Sequence, residues 1–141
     1  MYGKIKMQTF LPYDDFVKTA RCLDMRRLNK ERVEAMQIIN TLESDSRWRN
    51  HPAVLMWKNH IPALKLYCNT MIQEWISRGW KNTMKLYVIE EPIIYPSWFG
   101  LSLFHSCHRA TLLFKNFNHY SMWGWEEEPK YEYFWPTKNG F

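Results

Sequence analysis

The stretch MRRLNKERVEAMQIINTL, Met25 to Leu42, contains neither glycine nor proline. Its apolar side chains recur at Leu28, Ala35, Met36, Ile39 and Leu42, the spacing of one face of an α-helix. The remaining face carries Arg27, Lys30, Glu31, Glu34 and Gln37. Arg27 with Glu31, and Lys30 with Glu34, stand four residues apart, where opposite charges on a helix can pair. A helix with one apolar face needs partners, and the flanking sequence supplies them. Asp14 or Asp15 is a candidate N-cap for a short helix over Phe16 to Leu23. Glu43 to Asn50 reads as a loop. His51-Pro52 opens the next helix, since proline is favoured in a first turn, and Pro62 either kinks it or starts another. Leu64, Tyr67, Cys68, Met71, Trp75 and Ile76 then form a wide apolar face that ends at Gly79, a natural C-cap.

Lys85 to Ile94 is rich in β-branched and aromatic residues, but Pro92 and Pro96 confine it to a sheet edge or an extended loop. Ser102 to Phe117 is the last expected helix. From His119 onward the chain is aromatic and prolyl, without helical period. The expectation is a mainly α protein: residues 1–141 as one compact helical bundle with an irregular aromatic C-terminal tail.

The chain has 141 residues, 46% of them hydrophobic and 17% aromatic. That suffices to bury a core and excludes a disordered chain. The cysteines, Cys22, Cys68 and Cys107, are odd in number and far apart, which argues against a disulfide framework or a zinc site. They read as reduced core residues in a cytosol-like compartment. No run approaches the ~18 apolar residues of a membrane helix, and Met1 to Lys6 is not followed by the apolar stretch of a signal peptide. A soluble cytoplasmic protein, monomeric and without membrane contact, is expected.

A net charge of +5 and a pI near 9.1 favour a polyanionic partner. Two windows hold cations and aromatic rings with no acidic residue. Ser46 to Gln73 carries Arg47, Trp48, Arg49, Asn50, His51, Trp57, Lys58, His60 and Lys65. Pro92 to Trp125 carries Trp98, His105, His108, Arg109, Lys115, His119, Trp123 and Trp125. Cations neutralise phosphates and flat rings stack on bases, so the pattern suits a nucleic acid; the plainer alternative is a basic surface beside an aromatic core. Arg26, Arg27, Lys30 and Arg32 add four cations within two helical turns. Glu31 and Glu34 among them are either salt-bridge partners or an acid/base group. His105, His108 and Arg109 share a helix face, and serve either phosphate contact or a buried hydrogen-bond network. With no third ligand in view, no metal is expected there, and no cofactor elsewhere. Trp57, Trp75, Trp80 and Trp98 read as core, and Trp48, between two arginines, as exposed.

Several of these residues carry a resemblance: Leu23-Asp24-x-x-Arg27-Leu28, His51-Pro52-Ala53-Val54, His60, Arg78-Gly79-Trp80, and His105-x-x-His108-Arg109-x-x-Leu112. From about Met7 to Tyr120 the chain resembles the pyrimidine-dimer DNA glycosylase family, bacterial and viral proteins with a phage repair enzyme as founder. The resemblance implies an all-α domain that flips a nucleotide, attacks C1′ with an N-terminal α-amine and cuts the strand by β-elimination, assisted by a helix-borne glutamate. It implies DNA contacts from helix cations, here Arg26 and Lys30, and from a histidine eight residues after a proline, here His60 after Pro52. Two departures stand out. Arg27 aligns with the catalytic glutamate, leaving Asp24, Glu31 and Glu34 as substitutes. Tyr2 blocks methionine removal, and Met1 to Lys6 precede the first matching residue, so the amine comes either from a refolded N-terminal arm or from a lysine of depressed pKa, with Lys30 the candidate. The expected activity is excision of a damaged or modified base from duplex DNA, with AP lyase as a further possibility. The alternative is a nucleic-acid-binding protein that keeps the fold without catalysis. Contacts are expected from Arg26, Arg27, Arg32, Arg47, Trp48, Arg49, Asn50, His51, His60, His105, His108 and Arg109.

Overall fold

In the computed structural model the described residues form six α-helices: α1 (Phe16–Cys22), α2 (Met25–Leu42), α3 (Pro52–Leu55), α4 (Ile61–Ser77), α5 (Ser102–Lys115) and α6 (Phe117–Tyr120). Short 3-10 turns lie at Arg47–Asn50 and Ser121–Trp123, and no strand occurs among the described residues. Those residues are 7–44, 47–132 and 134–136, with backbone only for Arg47 and Trp48. The role expected of Met1 to Lys6 and the exposure expected of Trp48 lie outside them.

Local chemistry sets the helix boundaries. Asp15 caps α1, its side chain accepting from the Lys18 amide at 2.9 Å. Asp24 caps α2 through the Arg27 amide at 3.4 Å. Pro62 starts a new helix rather than bending an old one: α3 ends after one turn, Asn59 turns the chain with φ +71°, and α4 begins with Pro62 in its first turn. Gly79, at φ +89°, follows the last residues of α4 in the left-handed conformation that favours glycine. The last long helix stops two residues short of the expected Phe117. Asn116 turns extended (φ −151°, ψ 74°), and its side chain accepts from the His119 amide to start α6.

α2 packs mainly against α4, and both bury their apolar faces in one core with Phe10, Trp57, Tyr67, Trp98 and Phe104. Trp80 departs from the expected core position. It is exposed and stacks on Trp75 with ring centroids 5.7 Å apart. Of the cysteines, Cys22 and Cys68 are buried, and burial pushes both thiols up to about 12. Cys107 is only half-buried. The segment over residues 85–94 forms no strand and bends at a cis Glu91-Pro92 bond. The Asn69 side chain stands in for a partner strand: its amide donates to the Tyr87 carbonyl at 2.9 Å and accepts from the Tyr87 amide at 2.8 Å. The aromatic tail is tied back in the same manner, Thr111 donating to the Glu132 carbonyl and Trp125 to the Tyr13 hydroxyl.

Glu31 overturns one expectation. It belongs to the buried face of α2 with Leu28, Ala35, Ile38 and Ile39, not to the solvated one. The reason is the extended segment of residues 7–12, which crosses α2 and needs hydrogen-bond partners where water does not reach.

Arg78 joins α4 to the turn between α1 and α2. Its guanidinium donates to the carbonyls of Ala20 and Leu23 at 3.0 and 2.8 Å and pairs with Glu74 at 2.8 Å. Arg78→Ala is expected to destabilise the protein by about 2–3 kcal/mol, because carbonyls that lose a charged donor remain partly buried. Urea unfolding measures this, and Arg78→Lys should recover less than half, since an ammonium does not reproduce the fork.

Candidate nucleic-acid interface

The first half of α2 and the end of α5 enclose a cavity of about 310 Å³ lined by Asp24, Arg26, Arg27, Lys30, Leu112, Lys115, Asn116 and Tyr120. Four cationic side chains face one carboxylate. On α2, Arg26 and Lys30 are four residues apart and Arg27 and Lys30 three, so helix geometry brings them to one side. Asp24 is held at the edge. Its carboxylate accepts from the Tyr120 hydroxyl, and its amide donates to the same oxygen at 3.1 Å. Burial and the Asp24 charge push the Tyr120 phenol far above its ordinary range, so it stays protonated.

Beneath this cavity the segment of residues 8–12 runs between α2 and α5. The Gln8 amide donates to Glu34 Oε1 at 3.1 Å, and the Phe10 amide to Glu31 Oε1 at 2.6 Å. From the other side, Leu11 donates to His108 Nδ1 at 2.8 Å, and the Leu11 carbonyl lies 2.7 Å from His105 Nδ1. Arg109 donates to the Pro12 carbonyl at 2.7 Å. These bonds assign the tautomers. His108 accepts at Nδ1, so its proton sits on Nε2. His105 accepts from Gly100 at Nε2, so it donates from Nδ1 to Leu11. Both rings are therefore neutral. Burial lowers the His105 pKa and brings His108 down to about 3.

Glu31 is fully buried, and desolvation, followed by the nearby Glu34 charge, raises its pKa to about 8. The Tyr67 hydroxyl lies 2.8 Å from both Glu31 Oε1 and the Phe10 carbonyl, with one proton for two acceptors. A protonated Glu31 resolves the conflict by donating to Tyr67 while Tyr67 donates to Phe10. Arg27 sits over the Phe10 ring at 4.9 Å and 3.7 Å from Glu31 Oε2. Glu34 is only half-buried. Burial raises its pKa, while the Gln8 amide, Arg27, Lys30 and Lys115 pull it down.

Of the residues singled out in the sequence, Asp24, Arg26, Arg27 and Lys30 come together in this cavity, and Glu31 and Glu34 lie along the same helix below it. Arg32 turns away, donating to Asn82 and Asn29 at 2.7 Å each and lying 4.8 Å over the Trp75 ring. His51 is buried and caps α3 through the Ala53 amide. His60 sits 3.1 Å from the Ile94 carbonyl. His105 and His108 are buried on Leu11, so neither ring offers itself to a phosphate. Arg109 is paired with Glu127 at 2.8 Å. Arg49 and Asn50 line a different cavity of about 320 Å³ with Lys58 and Asn59. The side chains of Arg47 and Trp48 lie outside the described residues. The two acid-free windows thus feed two cavities that share no lining residue.

Sequence reasoning missed Lys115, Asn116 and Tyr120 as cavity residues. Lys115 was visible as a cation in the second window, but nothing local marked which helix it would face. Among the described residues no group of three or more His, Cys, Asp or Glu is placed to hold a metal ion, and no helix is long and apolar enough to cross a membrane.

Comparison with known proteins gives one match. The sequence model of the pyrimidine dimer DNA glycosylase family fits residues 7–88, more than half of the chain. The chain belongs to this family. The match begins at Met7, the first residue of the segment that Glu34 and Glu31 hold, and it takes in α1 to α4. α5 and its histidines lie beyond it. No curated protein matches the chain, nor does any solved structure. By this membership the chain falls among the glycosylases of DNA repair.

The two buried titrating groups have opposite pH signatures. The folded pKa of Glu31 lies above its unfolded value, so its contribution is full below about 4.5 and is lost as pH rises through about 8. The folded pKa of His108 lies below its unfolded value, so its contribution is lost as pH falls from 6.5 through about 3. Glu31→Gln keeps the neutral shape. Urea unfolding at several pH values should show the variant gaining on the wild type as pH rises from 5 to 8, by at most ~1.4 kcal/mol per unit. Parallel curves would mean that Glu31 is ionised in the fold at all these pH values.

Proposed function

We propose that this protein is a DNA glycosylase that excises a damaged pyrimidine from duplex DNA and then cuts the strand as an AP lyase. The observation that carries the reading is the meeting of cations and carboxylate on α2. Arg26, Arg27, Lys30 and Lys115 surround one cavity, and Glu34 stands one turn beyond Lys30 on the stripe Arg27–Lys30–Glu34. In this reading the arginines and Lys115 hold phosphates flanking the lesion. Glu34, whose pKa burial raises, steadies the positive charge that develops on the sugar as the glycosidic bond breaks. Glu31 is fully buried on the segment and Asp24 is held at the helix cap, whereas Glu34, which also accepts from Gln8, stays half-buried within the field of Lys30 and Lys115.

The lyase step needs an amine that attacks C1′ and forms a Schiff base, after which β-elimination releases the 3′ phosphate. Lys30 and Lys115 are the amines that line the cavity, and Lys30 is the one on the α2 stripe with Glu34. A chain beginning at Met7 would offer another, its α-amine lying one residue before the Gln8 amide that rests on Glu34. We assign the step to Lys30, which lines the cavity.

A duplex with one site-specific cyclobutane pyrimidine dimer tests the reading. Wild type is expected to cut the glycosidic bond of one dimer base, which stays tethered to its neighbour through the cyclobutane ring, and to nick the strand. Glu34→Gln should keep the fold and DNA affinity while lowering excision at least about 100-fold, the scale of losing a positioned acid/base or electrostatic group. Borohydride should trap a covalent adduct on abasic DNA that peptide mapping places on Lys30 and that Lys30→Ala loses. An adduct at the amino terminus, or a stronger one in a chain starting at Met7, would hand the role to the α-amine. Failure to cleave or trap with affinity intact would leave a DNA-binding protein without catalysis.

Binding carries its own prediction. Affinity for duplex DNA should fall with salt at a log–log slope of about −0.9 per phosphate contacted. Arg26→Ala and Lys115→Ala should each reduce the slope by about 1, as read by fluorescence anisotropy between low and moderate salt. Arg109→Ala, which removes a bond to Glu127 rather than a free cation, should change stability more than slope.

A further inference from the structure

Next in sequence to a residue of the cationic cavity stands a half-exposed aromatic side chain outside the core. Asn116 breaks the helix between α5 and α6, and Lys115 and Asn116 line the cavity at that corner. Phe114 and Phe117 flank them and are 57% and 55% exposed. Phe114 has a neighbour: its ring meets Tyr131 edge-on at 5.6 Å, and Lys115 lies 4.8 Å over the same tyrosine. Phe117 has no ring contact among the described residues and is not part of the core. A single exposed phenylalanine is ordinary on a protein surface. This one stands at the first residue of a helix, directly after a cavity residue, beside four cations that would hold a phosphodiester chain against it.

Resting on the DNA reading above, we infer that Phe117 is the side chain that enters the base stack of the bound duplex and occupies the space left by an extruded nucleotide. The argument is complementarity of two kinds. The cavity cations fix the backbone beside Phe117, and an unpartnered apolar ring gains most by stacking against bases whose neighbour has left. Its occupant is therefore a nucleobase pair bordering the lesion, not a second protein. The corner geometry helps, because the extended Asn116 turns Phe117 out of the register of α5.

The test compares two duplexes of one sequence, one intact and one carrying a tetrahydrofuran abasic site, titrated by anisotropy with the whole chain. Wild type should bind the gapped duplex more tightly. Phe117→Ala should lose about tenfold of that preference, the size of one base–aromatic stack, with intact-duplex affinity and salt slope unchanged. Phe117→Trp should keep the preference. Leu103→Ala, at an equally exposed apolar position in the first turn of α5, should change nothing. Thermal unfolding of each variant confirms that the fold is kept, as expected for a half-exposed side chain. Gap preference that survives in Phe117→Ala, or is absent from wild type, overturns this inference alone. Absence of salt-dependent duplex binding by wild type overturns the DNA reading and this inference with it.

Discussion

The structure depends on satisfying the backbone of one buried extended segment. Residues 8–12 pass between α2 and α5 without a neighbouring strand, and a peptide group buried without a partner costs about as much as a lost hydrogen bond. Side chains supply what a sheet would otherwise give. Glu34, Glu31 and His108 accept from the amides of Gln8, Phe10 and Leu11, while Tyr67, His105 and Arg109 meet the carbonyls of Phe10, Leu11 and Pro12. Four elements must be in register for this set to form, so the segment locks α2, α4 and α5 to one another. Its partners are neutral where they are deepest, as low local polarity demands: a histidine with a depressed pKa and a glutamate with a raised one.

The same lattice joins fold to chemistry. Arg27 touches the segment through Phe10 and Glu31, yet it also lines the cationic cavity. Glu34 accepts from Gln8 and remains half-exposed within the field of Lys30 and Lys115. A helix that holds a buried extended segment on one edge and cations on the next therefore keeps its carboxylate fixed beside those cations. Preorganisation of this kind lets an electrostatic group act on developing charge without first moving into place.

Much of the fold could be read from pattern. The bounds of α2 follow from an uninterrupted apolar period and the Asp24 cap, and the restart at α4 from Pro62. Glu31 was misplaced because a helical wheel ranks a carboxylate as solvent-facing, and no local feature announces that an extended segment will arrive to use it. His105, His108 and Arg109 were legible as one helix face. Their partner is Leu11 with Pro12, nearly a hundred residues away, and a spacing motif carries no information about distance of that kind. The cavity was half legible. Arg26, Arg27 and Lys30 cluster in sequence, whereas Lys115 and Tyr120 join them only through packing.

The sequence by itself determined the main helices, the basic balance of the chain and the family to which residues 7–88 belong, because periodicity and composition are short-range properties. Tertiary structure alone decided which charges meet. It separated the two acid-free windows into two cavities, turned Arg32 toward Trp75, and withdrew His105 and His108 into the core. The physical reason is that burial and Coulomb interaction depend on distance through space, which helix packing sets and local sequence does not.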